Sequence, residues 1–260
     1  MISFIGAGPG AADLITLRGA ERLARADVVV WAASLVPREL LDRCRPDALI
    51  HDSKTMTLAD VCAVFAAHPT AAIARLHSGD PTVYSAIGEQ IAWCRANDRP
   101  FEVVPGVSAM HAAAAEAGCE LTIPGVAQSV VITRVAGRTR ASMPDRETIE
   151  AYAATGATLA VFLSVVHVDE LTRRLLAPGT AYEPDTPAVI AYRVSWPEQQ
   201  VVATTIGRLA DDVRTMGIDS TTVLLVGPAL AGAEAQLSHV YDPGYTTRFR
   251  AAVAVDADRA

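Results

Sequence analysis

The chain has 260 residues, 51% hydrophobic, 20% charged and 5% aromatic, with a net charge of −7. This composition excludes a disordered chain, and an acidic balance without a basic run excludes a general nucleic-acid binder. Of the 22 basic residues all but Lys54 are arginine, the residue suited to bidentate capture of carboxylates. At about 100–200 residues per domain, the length fits one large or two small domains. Apolar runs such as residues 28–33 are far short of the ~20 residues a membrane-spanning helix needs. The opening MISFIGAGPG has no basic leader, so a cytoplasmic protein with no membrane partner is expected. Cys44, Cys62, Cys94 and Cys119 form no CxxC, and the histidines form no HxxxH or HxxH pair. Reduced cysteines and no metal site are expected.

Strand-like and helix-like segments alternate through the first half. Residues 2–5 predict a strand ending in the glycine turn 6–10, and 17–26 a helix, with Asp13 or Thr16 as its cap. Val28–Trp31 predicts a strand, Leu58–Ala67 a helix, 71–76 a strand, 84–95 a helix, Phe101–Val104 a strand and 108–117 a helix capped by Ser108. This order predicts a mostly parallel sheet with crossover helices. Residues 119–128, with Pro124 and Gly125, break the rhythm and suggest a domain boundary. Beyond it, strands are predicted at 129–133, 159–163, 188–192, 201–205 and 223–226, and helices at 146–153, 168–176 and 209–216. Two strands in succession without a helix between them imply a mixed sheet. The expected division is 1–118, 119–242 and a partly disordered tail, 243–260.

Gly6-Ala7-Gly8-Pro9-Gly10-Ala11 formally fits the dinucleotide fingerprint G-x-G-x-x-G/A. Two features oppose that reading. The helix starts near Leu17 instead of on the turn, and no acid follows the next strand, which runs Val29-Val30-Trp31-Ala32. A tight turn alone, or a ligand other than a pyrophosphate approached by bare backbone, are the readings left beside it. His77-Ser78-Gly79-Asp80-Pro81 and Val104-Pro105-Gly106-Val107-Ser108 are further glycine turns, each after a predicted strand. Open α/β sheets bind ligands at such strand ends.

Taken together, GAGPGAADLITLRG, RLHSGDPTVYSAIGEQ, VVPGVSAMHAAAA, AVFLS, AYRVSWPEQ and TVLLVGPAL resemble the tetrapyrrole methylases, S-adenosylmethionine-dependent enzymes acting on precorrins. The stretches occur in family order over about residues 1–230. WAASLV, HDSKTMTL and TRVAGRTRASMP narrow the resemblance to the branch that methylates carbon 11 of a precorrin. Two departures are Ala11, where relatives usually carry Asp, and WAAS, where YAGS is usual.

The resemblance implies two α/β domains, each a mostly parallel or mixed sheet with flanking helices, the active site in the cleft between them. It also implies a homodimer, S-adenosylmethionine as methyl donor and a small-molecule tetrapyrrole as substrate. By matching motifs the cofactor is expected at Pro9, Ser78, Gly79, Asp80, Val83, Ser108, Ala109 and Leu163, with Ala191 and Tyr192 as weaker carry-overs. A precorrin carries many carboxylates, so Arg134, Arg138 and Arg193 are the expected substrate contacts. No catalytic side chain can be named, because an electron-rich ring carbon attacking a sulfonium methyl asks mainly for alignment.

Overall fold

A computed structural model describes residues 1–137, 140–232 and 240–253. They divide into two compact units. The first comprises Met1–Glu116, Ala191–Val201 and Asp219–Val223, and the second Ala117–Ile190, Val202–Ile218 and Leu224–Ala260. The second unit is therefore not one continuous stretch. The expected tail ends beyond the described residues.

The first unit is built on β1 (Ile2–Gly6), α1 (Leu17–Ala24), β2 (Val28–Trp31), β3 (Leu49–Asp52), α2 (Leu58–Ala67), β4 (Ile73–His77), α3 (Ile87–Ala96), β5 (Phe101–Val104) and α4 (Ala109–Glu116). Its sheet runs in the order β3-β2-β4-β1-β5, with every neighbouring pair parallel. β1 and β2 are buried along their whole length, as continuous apolar strands of a sheet covered on both faces should be. Alternation sends Ile2, Phe4, Val28, Val30 and Ile73 to one core, with Phe65 of α2. Ile5, Val29, Ala74 and Leu76 go to the other, with Leu23 of α1.

Local chemistry sets the helix starts. Thr16 caps α1 by accepting from the Gly19 N–H, and Thr57 and Asp60 form a reciprocal capping box on α2. The helix predicted from Tyr84 begins only at Ile87, because Tyr84 (φ 52°) and Ala86 (φ 49°) are left-handed. β3 had no counterpart in the predicted elements. It is an exposed edge strand, and its pairing with β2 holds it where its own residues carry little apolar signal.

The second unit carries β6 (Val130–Arg134), α5 (Ile149–Ala153), β7 (Thr158–Phe162), α6 (Val168–Leu175), β8 (Pro187–Tyr192), β9 (Gln200–Thr205), α7 (Ile206–Met216) and β10 (Thr222–Val226), with the ends of β8, β9 and β10 shared with the first unit. The sheet order is β6-β7-β10-β8-β9. It is mixed, since β6 pairs parallel and β10 antiparallel with β7. One large core forms around Leu159, Val161, Leu171, Ile190, Leu209 and Leu224. No helix among the described residues is long and apolar enough to cross a membrane.

Candidate functional site

In the first unit the parallel order sends the carboxyl ends of β1, β4 and β5 to the same edge of the sheet. β1 is flanked by the other two, with Gly6 opposite His77 and Ile5 opposite Val104. The three glycine turns therefore start side by side. Ala7 N–H donates to His77 C=O at 2.8 Å, and Gly8 and Gly79 exchange N–H···O bonds of 3.3 and 2.8 Å. A Cβ on Gly6 would lie 2.5 Å from Gly106 Cα and 2.7 Å from the Gly79 carbonyl oxygen. The turns are thus in backbone-to-backbone contact, which no side chain at Gly6 or Gly106 would allow. Gly79 differs. A Cβ there would meet nothing nearer than Ser108 Cα at 3.7 Å, and its φ of +65° is what calls for glycine.

Asp80 ties the second and third turns together. One carboxylate oxygen accepts from Gly106 N–H at 2.8 Å. The other accepts from the Thr82 N–H at 2.8 Å and from the Thr82 hydroxyl. Burial pushes this carboxyl up, but the Thr82 hydroxyl, the two backbone N–H groups and nearby His111 outweigh it, so it lies below its ordinary value. Asp80 is ionised at neutral pH with both oxygens engaged, which suits it to shaping the turns.

His77 and Arg75 share the α2/α3 side of β4. His77 is 6% exposed and packs at 6.1 Å from the Phe4 ring. Burial, reinforced by Arg75, brings its imidazole down to about 3, so it is neutral at physiological pH. Arg75 donates to Ser53 Oγ at 3.0 Å and Gln90 Oε1 at 3.3 Å. Burial lowers it to about 10, which leaves it charged.

Of the residues expected at the cofactor, Pro9, Ser78, Gly79, Asp80 and Ser108 lie on these turns in the first unit, with Val83 just after the second and Ala109 opening α4 after the third. Ala191 and Tyr192, at the end of β8, also group with the first unit. Leu163 belongs to the second unit. It was predicted inside a strand, but β7 ends at Phe162. Leu163 stands in the left-handed region at φ 52° and is 67% exposed. Arg134 closes β6 and donates to Ser142 Oγ at 2.7 Å. Arg138 lies outside the described residues. Arg193 follows β8, with its guanidinium 5.7 Å from the Tyr192 ring, 5.8 Å from the Trp196 ring and 3.5 Å from Glu198.

Sequence reasoning passed over Ser195 and Trp196. Ser195 Oγ accepts from Ala11 N–H at 2.9 Å, and Trp196 Nε1 donates to Pro9 C=O at 2.9 Å. The signal was an aromatic residue just after a strand end within AYRVSWPEQ, a loop position where function concentrates.

The model of the family described as tetrapyrrole (corrin/porphyrin) methylases matches residues 1–210. The chain is 42% identical over 251 residues to a precorrin-4 C(11)-methyltransferase of Sinorhizobium sp., covering 96% of this chain and 98% of that one. It is 36% identical to a cobalt-precorrin-4 C(11)-methyltransferase of Methanocaldococcus jannaschii, over 96% and 95% of the two chains. The solved structure of a cobalt precorrin-4 methyltransferase from cobalamin biosynthesis superposes with a TM-score of 0.84 at 37% identity, covering 88% of this chain and 95% of that one.

Proposed function

The chain belongs to the tetrapyrrole (corrin/porphyrin) methylases, and from that premise we propose that it transfers the methyl group of S-adenosylmethionine to C11 of precorrin-4 in cobalamin biosynthesis. The observation that carries this reading is the near full-length likeness to precorrin-4 C(11)-methyltransferases. The turns suit the methyl donor. S-adenosylmethionine has a ribose, an adenine and an amino-acid end but no phosphate, and the turns offer backbone and two serines, Ser78 and Ser108.

In this reading Pro9, Ser78, Gly79, Asp80, Val83, Ser108 and Ala109 hold the cofactor, with Leu163, Ala191 and Tyr192 completing its contacts. Arg134, Arg138 and Arg193 grip substrate carboxylates by charge-assisted hydrogen bonds. When bound, the cofactor supplies a methyl group already activated by its sulfonium. The protein's part is to fix the turns, keep the two ligands aligned and exclude water. Alignment of this kind is worth up to roughly 7–11 kcal/mol in the most favourable intramolecular cases. Asp80 works through the turns it ties, and His77 stays neutral and buried. We further propose a cytoplasmic homodimer whose small-molecule partner is the tetrapyrrole. This reading assigns no nucleic-acid or membrane partner; the chain carries a net charge of −7, and no helix among the described residues is long and apolar enough to cross a membrane.

A second reading takes cobalt-precorrin-4 as the substrate. The likeness to the archaeal relative and to the solved cobalt precorrin-4 methyltransferase favours it. One experiment separates the two: incubation with methyl-labelled S-adenosylmethionine and precorrin-4, with and without cobalt, followed by location of the label. Label at C11 of the metal-free ring is the expected result. Label confined to the cobalt form would establish the second reading, and label at another carbon would overturn both.

A further inference from the structure

The connection between β8 and β9, residues 193–199, holds an unusual shape. Arg193 (φ 43°) and Ser195 (φ 67°) both stand in the left-handed region, which non-glycine residues seldom occupy. Hydrogen bonds enforce the shape. Arg193 N–H donates to Thr221 C=O at 2.9 Å, Trp196 N–H to Arg193 C=O at 2.9 Å, and Ser195 N–H to Gln199 Oε1 at 2.7 Å. Gln199 Nε2 in turn donates to Glu116 Oε2 at 3.0 Å, which anchors the segment to α4.

Two groups from this braced segment reach the first glycine turn. Trp196 Nε1 takes the Pro9 carbonyl, and Ser195 Oγ takes the Ala11 N–H. Gly10 lies between those two peptide groups, and a Cβ there would be 2.6 Å from Trp196 Nε1 and 2.8 Å from Ser195 Oγ. The glycine at position 10 is thus explained by the strap lying against it. The Arg193 guanidinium covers the Trp196 ring and holds it in place. A glycine-rich turn has many backbone shapes open to it, and here the strap selects one.

We propose that Trp196 and Ser195 are positioning residues for the methyl donor, keeping the turn from Gly8 to Ala11 in the shape that accepts it; this rests on the reading that S-adenosylmethionine binds at these turns. The physical link is population. Loosening the strap lets the turn sample other shapes, and the apparent affinity falls in proportion to the fraction still competent. One lost hydrogen bond is worth about 1 kcal/mol, which lowers the ratio of competent to other shapes about fivefold and that fraction by up to the same factor.

The test is calorimetric binding of S-adenosylhomocysteine to the full chain, with single-turnover methyl transfer at saturating cofactor. Trp196→Phe keeps a ring and loses the donor. It should raise Kd about three- to tenfold, with the saturated rate within about twofold of the parent chain. Ser195→Ala should act in the same direction and provides a second reading should a Trp196 variant fold poorly. Gly10→Ala should weaken binding in the parent chain but add less than about twofold in a Trp196→Ala background, where the indole that crowds its Cβ most closely is removed and only the Ser195 hydroxyl has to yield.

Binding within twofold of the parent chain for both Trp196→Phe and Ser195→Ala would overturn the proposal. So would full additivity of Gly10→Ala and Trp196→Ala, or a loss of saturated rate with affinity intact, which would assign Trp196 to the reaction itself. If the parent chain binds no S-adenosylhomocysteine, the cofactor reading fails and the strap proposal with it. Parent binding with unaffected variants removes the strap proposal alone.

Discussion

The two sheets use the same kinds of element and solve burial differently. The first is parallel throughout and carries a core on each face. The second contains an antiparallel pair and, among the described residues, gathers most of its buried residues into one core, with a small cluster at Ile123, Ala127 and Ala229. A parallel sheet delivers all its carboxyl ends to one edge, so three glycine turns meet there without any strand reversing. The glycines record the difference. Gly6 and Gly106 are required by crowding between backbones. Gly156, Gly179, Gly217 and Gly232 in the second unit have positive φ, and a Cβ on any of them would meet nothing nearer than 3.6 Å. Gly6 and Gly106 let backbone reach backbone, whereas these four glycines let a chain turn.

The contrast is broken most directly by adding a methyl group on each side. At Gly106 a Cβ would run into the Gly79 carbonyl oxygen and lie 2.7 Å from Gly6 Cα. Gly106→Ala should therefore lower S-adenosylhomocysteine affinity more than about a hundredfold, equivalent to about 2.8 kcal/mol. Gly217→Ala should leave affinity unchanged and cost only about 1–2 kcal/mol of stability for its left-handed backbone. Calorimetric titration and thermal unfolding of both variants check the pair. Normal binding by Gly106→Ala would remove the distinction between the two sets of glycines.

A smaller effect is expected at Asp80, whose carboxylate joins the second and third turns. Losing charge-assisted bonds of about 1.5–3 kcal/mol should raise the cofactor KM of Asp80→Ala about ten- to a hundredfold. The rate at saturating cofactor should largely persist. Single-turnover transfer with both ligands saturating, from pH 6 to 9, measures this. A thousandfold loss of rate with affinity intact would instead reveal acid–base chemistry at Asp80.

Acid should sharpen the comparison further, because each unit has a strongly shifted group that titrates in acid. In the first unit His77 stays neutral down to about 3, whereas an unfolded histidine gains a proton near 6.5. The unfolded chain then binds more protons in that window, so this contribution is complete above pH 6.5 and lost as pH falls towards 3. In the second unit Arg174, donating to Glu150 at 2.8 and 2.7 Å, holds that carboxyl at about 2 against an ordinary 4.5. Its contribution is present above pH 4.5 and lost as pH falls towards 2. His77→Leu should flatten the decline in stability between pH 6.5 and 5 by up to about 2 kcal/mol. Arg174→Met should lower stability above pH 4.5 by about 1 kcal/mol or less, because the pair is partly exposed, and that difference should shrink as pH falls below 4.5. Denaturant titrations at pH 7, 5 and 4 give both values, and a pH 5 stability unaltered by His77→Leu would contradict the first.

By itself the sequence determined the elements whose stabilising signals are local. Val28–Trp31 is an unbroken apolar run, Leu58–Ala67 starts at a capping box, and Phe101–Val104 ends at a glycine turn. It also placed the glycine turns after β1, β4 and β5, because glycines and caps act within a few residues of themselves. The rest depends on partners far along the chain. β3 exists because β2 pairs with it, and Leu163 leaves its predicted strand because β7 ends one residue earlier. Residues 191–201 and 219–223 join the first unit across a break in the chain. The bond from Trp196 to Pro9 spans 187 residues, and no pattern within either segment encodes it. Hydrogen bonds and crowding between segments that distant exist only once the sheets have formed, so tertiary structure alone decided how tightly the turns meet and what holds them.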